Sequence, residues 1–226
     1  MGESQNDLLE RLQAVATLNQ DMRQRLVSLL LSPSQQPKMT YEQFLEWADE
    51  DTHAEWVNGE VIMTGPASRR HQEIKLFLGH LIGLYVEQRR LGRVLDAPFQ
   101  MKLENSGREP DLLFVMTDHL ARLRETYLDG PADLAVEIIS PESVGRDRGE
   151  KFYEYAQVGI PEYWLIDPLH DRAEFYQLDS QGSYQLIAPG ADGIYRSAIL
   201  PGFWLRVSWL WDQPSAVDVL RELGVI

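Results

Sequence analysis

Apolar residues recur every three to four positions near the start of the chain: Leu8, Leu12, Val15, Leu18, Met22, Leu26 and Leu29. That spacing predicts an amphipathic helix over residues 5–31. The Pro- and Ser-rich stretch "SPSQQP" at 32–37 reads as a linker. The chain is therefore expected to divide into an N-terminal helix and linker, 1–38, and a main domain, 39–226. An isolated helix must bury its apolar stripe, either on the main domain or against a partner helix.

The pattern then changes several times. Thr40 followed by Gln43 predicts a capping box for a short helix, "YEQFLEWA". "HAEWVNGEVIMTG" alternates around Asn58-Gly59, which predicts a β-hairpin with a type I′ turn. "SRRHQEIKLFLGHLIGLYVEQRR" has helical period, with Ile74, Phe77, Leu78, Leu81, Leu84 and Tyr85 on the expected core face. Strands are expected near 93–103, 110–116 and 133–140, a helix over 147–158, and a strand at "EYWLID". "AEFYQLD", "SYQLIA" and "FWLRV" read as further strands. This order predicts a mixed α/β or α+β domain, a central sheet with helices on its faces and an N-terminal helical extension.

Composition narrows the function classes. The 226 residues are 44% hydrophobic, enough for one sizeable core. Cysteine is absent, which excludes disulfides and thiolate metal sites. No basic-then-apolar leader opens the chain, and no uncharged run approaches the roughly 18 apolar residues of a membrane helix. A soluble, cytoplasmic protein with no membrane partner is expected. The formal net charge of −14 argues against generic DNA binding, which relies on Lys and Arg at phosphates.

Against this background "LAVEIISPES" stands out, because Glu137 interrupts an apolar strand. An unpaired buried carboxylate costs several kcal/mol. "EPDLLFVM" places Asp111 at the head of another apolar strand. Two carboxylates converging at one sheet edge repel unless a proton or cation lies between them. A hard divalent ion such as Mg²⁺ or Mn²⁺ accepts such oxygen ligands. In "GRDRGEKFYEY", Asp147, Lys151 and Tyr155 lie at i, i+4 and i+8 on one helix face. Lys151 can reach back to the carboxylate edge; the alternative is an ordinary surface ion pair with Asp147. His71, with Arg69 and Arg70, opens the long helix and is a candidate phosphate contact, helix N-termini being favourable to anions; otherwise it is a partly exposed surface residue. Tyr155 is the remaining candidate substrate contact. For Trp164, Trp204, Trp209 and Trp211, core packing or an oligomer interface is expected over base stacking.

In their order, "AEWVNGEVIM", "EPDLLFV", "LAVEIISPES" and "RDRGEKFYEYAQVGIPEYWLID" resemble the Uma-type restriction-endonuclease family over residues 40–207. The resemblance implies the restriction-endonuclease-like fold of the PD-(D/E)XK class and metal-dependent phosphodiester hydrolysis. It implies that Asp111 and Glu137 bind the metal, that the Ile138 carbonyl adds a ligand, and that Lys151 replaces the lysine this class carries where Ile139 stands. Glu55, in the first hairpin, matches a further acidic position and is expected to complete the metal shell ahead of Glu73; its alternative is a solvent-facing strand residue. The rival functions are an interaction protein that keeps the fold without catalysis, and a hydrolase of small phosphoesters. DNA is the expected substrate partner, and a homodimer or higher homo-oligomer is expected from the apolar stripe of 8–29 and the Trp-rich C-terminal segment.

Overall fold

The computed structural model describes residues 38–49 and 52–226. The predicted N-terminal helix and linker lie outside the described residues. From Met39 onward the chain forms one unit.

The predicted caps are present. Helix α1, Tyr41–Trp47, starts from Thr40, whose hydroxyl accepts the Gln43 N–H at 3.2 Å while the Gln43 side chain accepts the Thr40 N–H at 2.9 Å. Strands β1, Ala54–Val57, and β2, Glu60–Met63, pair around Asn58 and Gly59. Both turn residues have positive φ, 52° and 91°, as a type I′ turn requires. Helix α2, Arg69–Arg89, begins at Ser68, which accepts the His71 N–H.

Next come β3 (Gly92–Asp96), β4 (Gln100–Lys102), β5 (Ser106–Arg108), β6 (Leu112–Met116), a 3₁₀ turn (Thr117–Arg122), β7 (Tyr127–Asp129) and β8 (Leu134–Ile138). A π turn at Arg146–Glu150 leads into α3, Lys151–Gln157, and then β9, Glu162–Asp167. The chain closes with β10 (Arg172–Leu178), β11 (Tyr184–Leu186), β12 (Ile194–Arg196), β13 (Trp204–Arg206), α4 (Trp209–Asp212) and α5 (Ala216–Glu222).

Two main sheets result. One has the order β2-β1-β5-β4-β7, the other β11-β10-β9-β8-β6-β3, and β12 and β13 form a separate ribbon. The larger sheet is mixed: β8 and β9 are parallel, while β6 runs antiparallel to β8. Both its faces are covered, which explains near-continuous apolar strands. Period two sorts their residues. Phe114, Leu134, Val136 and Ile138 join α2 and the C-terminal segment in one core; Leu113, Val115, Ala135 and Ile139 join Tyr155 and Tyr163 in another. Glu137 has the parity of Ala135 and Ile139, so it belongs to the face that α3 covers. Among the described residues no helix is long and apolar enough to cross a membrane.

Several expectations change. The stretch 93–103 is not one strand: residues 97–99 separate β3 from β4, which joins the other sheet. Leu84 is 42% exposed, whereas Ile82 and Val86 are buried. At 100° per residue Leu84 lies about 110° from the centre of the buried stripe, outside its reach. The strand expected at "FWLRV" is shorter, Trp204–Arg206. Alternation stops after Arg206, and Trp209–Asp212 is a helical turn. Trp209 is buried and packs against Trp204 at 5.2 Å between ring centroids, so the Trp-rich segment belongs to the core.

Candidate active site

The site lies where the two main sheets approach one another. Leu112 pairs with Val136, and continuing that antiparallel register by one residue sets Asp111 opposite Glu137. Asp111 Oδ2 accepts the Ile138 N–H at 2.7 Å and lies 3.2 Å from His71 Nε2. Glu137 Oε1 accepts from Lys151 Nζ and from the Tyr155 hydroxyl, each at 2.9 Å. Lys151 therefore reaches the carboxylate edge. Its side chain is 6% exposed, which rules out the ordinary surface pair. Asp147 lies on the same face, with Oδ1 3.5 Å from Lys151 Nζ.

Glu55 enters from β1. It is 2% exposed, so it is no solvent-facing residue. Its Oε1 is 2.8 Å from Lys151 Nζ and accepts the Glu109 N–H; its Oε2 accepts from Arg108 at 3.1 Å. Arg108, at the end of β5, also donates to Glu154 on α3 at 2.7 Å. The pattern of apolar positions gave no warning of Arg108, because β5 is three residues long and reads "SGR".

These groups border a cavity of about 510 Å³. Six carboxylates line it, from Glu55, Glu109, Asp111, Glu137, Glu142 and Asp147, against three cations, Lys75, Arg146 and Lys151. Proton affinities follow from burial and this imbalance. Burial pushes the Glu137 carboxyl well above the usual carboxylate range; Lys151 opposes the shift, while Asp147, Asp111 and Glu55 add to it. Burial also raises Asp147, again against Lys151. Burial alone would lower the Lys151 ammonium, but Glu137, Glu55 and Asp147 outweigh it and hold the amine charged. Burial would raise Glu55 too, yet Lys151 and Arg108 bring it down to about 2. Glu109 rises to about 7, through burial opposed by His53 and reinforced by Glu55. A cluster with more carboxylate than cation has an affinity for further positive charge.

The other candidates are placed differently. His71 is buried, and its Nδ1 has no hydrogen-bond partner among the described residues. Arg69 pairs with Glu73, and Arg70 with Asp171; neither arginine lines the cavity. Tyr155 is fully buried, so its hydroxyl serves Glu137 and is closed to a substrate.

The architecture is a mixed α/β fold that pairs acidic residues at the start of β6 and the end of β8, two adjacent interior strands, with a lysine from the next helix. It matches the solved structure of a putative nuclease from Anabaena variabilis with a TM-score of 0.66 at 17% identity, covering 77% of this chain and 98% of the other. The chain belongs to the Uma2 family, described as "Putative restriction endonuclease", whose model matches residues 41–208. Two uncharacterized proteins of Synechocystis sp. are also similar. One is 27% identical over 158 residues, 67% of this chain and 80% of the relative. The other is 25% identical over 142 residues, 62% of this chain and 80% of the relative.

Proposed function

We propose that this chain is a metal-dependent nuclease that hydrolyses phosphodiester bonds, with Asp111, Glu137 and the Ile138 carbonyl holding Mg²⁺ or Mn²⁺. One observation carries the reading. Among the described residues no hydrogen bond reaches Asp111 Oδ1 or Glu137 Oε2, while their other oxygens are anchored by Ile138, Lys151 and Tyr155. Each carboxylate is held by one oxygen, the other is left without a hydrogen bond, and both residues line the cavity. Hard oxygen donors of this kind fit a hard divalent cation. Among the described residues no three acidic or histidine side chains form a ready-made metal cage, so the shell would rest on two side chains, a main-chain carbonyl and water. Family membership supports a nucleic-acid substrate.

When bound, the cation lowers the pKa of a coordinated water and offsets phosphate charge. The protein's own groups do the rest. Asp111 and Glu137 fix the position, and Lys151 holds a permanent positive charge beside Glu137, where it orients the attacking water or stabilises charge developing on phosphorus. The acidic lining favours a second reading, hydrolysis of small phosphoesters, since a polyanion meets more repulsion there.

Calorimetric titration with Mn²⁺ tests the metal site. The wild type should bind, and Asp111→Ala should weaken binding markedly. Equal Mn²⁺ affinity in wild type, Asp111→Ala and Glu137→Ala would remove the metal from the account.

A further inference from the structure

Glu55 differs from the other two acids at the site. Asp111 and Glu137 each keep an oxygen with no hydrogen bond among the described residues, but both oxygens of Glu55 are taken. Oε1 holds the Lys151 ammonium at 2.8 Å and the Glu109 N–H at 3.1 Å. Oε2 is held by the Arg108 guanidinium at 3.1 Å. Arg108 is itself 2% exposed and fixed by Glu154, whose other oxygen takes the Ser106 hydroxyl. Arg108 and Glu55 belong to the smaller sheet, while Lys151 and Glu154 lie on α3. The chain Glu154–Arg108–Glu55–Lys151–Glu137 thus ties the smaller sheet to the helix and aims the amine at the larger sheet. A buried carboxylate already neutralised by two cations is a poor candidate for a third, which Lys151 and Arg108 would repel at close range.

We propose that Glu55 and Arg108 form a clamp that positions the Lys151 ammonium against Glu137, and that Glu55 serves this lysine and not the metal. The proposal rests on the nuclease reading for its catalytic meaning, but its geometric content does not need a metal. Arg108 and Glu55 are positioning residues: they act on the substrate only through Lys151. Arg108 matters because without it Glu55 would face Lys151 with one oxygen unanchored in a buried site.

Two readouts separate a clamp from a ligand. The first is Mn²⁺ affinity by calorimetry. Glu55→Gln should bind Mn²⁺ within about twofold of wild type, whereas loss of a ligand or its direct support typically costs about 10–100-fold. The second is acylation of Lys151 by an amine-reactive reagent, followed by peptide mass spectrometry on the full chain. In wild type Lys151 should be strongly protected. In Glu55→Gln and Arg108→Ala its rate should rise about tenfold or more, as expected when local opening becomes easier, and Arg108→Lys should restore protection. Lys75, with a side chain 12% exposed in the same cavity, is the internal control and should label at an unchanged rate. If Arg108→Ala fails to fold, the near-isosteric Glu55→Gln carries the test. A tenfold or greater loss of Mn²⁺ affinity in Glu55→Gln would overturn the proposal, as would Lys151 protection unchanged from wild type. A wild type that binds no Mn²⁺ would end the metal reading instead, and the labelling result would still decide the clamp.

Discussion

Replacing Lys151 with methionine should destabilise the domain and make its stability strongly pH-dependent. The side chain volume is nearly kept, so the lost quantity is charge. Lys151 Nζ lies 2.8 Å from Glu55, 2.9 Å from Glu137 and 3.5 Å from Asp147, and all four side chains are at most 6% exposed. Removing one partner from such a buried cluster costs about 3–5 kcal/mol, because the remaining charges stay desolvated. At about 2–4 °C per kcal/mol for a domain of this size, the melting temperature should fall by roughly 6–20 °C. The sign of the pH effect follows from Glu137 and Asp147, whose folded-state values are both raised above their ordinary ones, Glu137 well above, chiefly by burial. Without the ammonium they rise further. The folded variant then binds more protons than the unfolded chain, so stability present below the ordinary carboxylate range is lost as pH rises through the raised values. Urea denaturation of wild type and Lys151→Met at pH 5 and pH 8 measures this. The deficit should be larger at pH 8. A loss below about 1 kcal/mol, the scale of an exposed ion pair, or a larger deficit at pH 5, would show that Lys151 does not neutralise a buried carboxylate cluster.

Glu162 accepts from Trp164, Tyr195, Ser197 and the N–H groups of Ala198 and Ile199, pinning the β12 region to β9. Glu162→Ala should cost about 3 kcal/mol by leaving these donors unpaired, read from its urea midpoint without any change in Mn²⁺ affinity. Gly92 has φ of +155°, and a Cβ there would lie 1.9 Å from the Val115 carbonyl oxygen. Gly92→Ala should therefore cost about 2–4 kcal/mol, and a melting temperature equal to wild type would show the edge to be more pliable than this geometry. For assembly, the outer face of α2 leaves Leu76 62% and Leu84 42% exposed beside the edge strand β3. We expect a homodimer or higher homo-oligomer, and a monomeric mass by light scattering at micromolar concentration would rule it out at that concentration.

The elements that the sequence made legible are those governed by local rules. The Thr40 capping box, the Asn58-Gly59 turn and the long helix each follow from short-range chemistry, and each is present. The positions of Asp111 and Glu137 were legible because a carboxylate in an apolar strand is costly, and the structure sets them opposite one another on the adjacent strands β6 and β8. Lys151 was legible from helical spacing with Asp147 and Tyr155. What local pattern could not show was tertiary. Residues 93–103 look continuous, but β3 and β4 join different sheets. Arg108 sits on a strand too short to have a period, and its partners lie about fifty residues away in either direction. Tyr155 shares a face with Lys151, yet spacing alone does not reveal that its hydroxyl ends on Glu137 in a closed core.

The nuclease reading holds that Asp111 and Glu137 support metal-dependent cleavage of DNA phosphodiester bonds. Single-turnover cleavage of labelled DNA in Mn²⁺, comparing wild type with Asp111→Asn under conditions where both are fully folded, addresses it most directly. The account predicts cleavage by the wild type that stops when the metal is chelated and falls by about a hundredfold or more in Asp111→Asn. A wild type inert on DNA with Mn²⁺ present, or an Asp111→Asn variant that cleaves as fast as wild type, would contradict it.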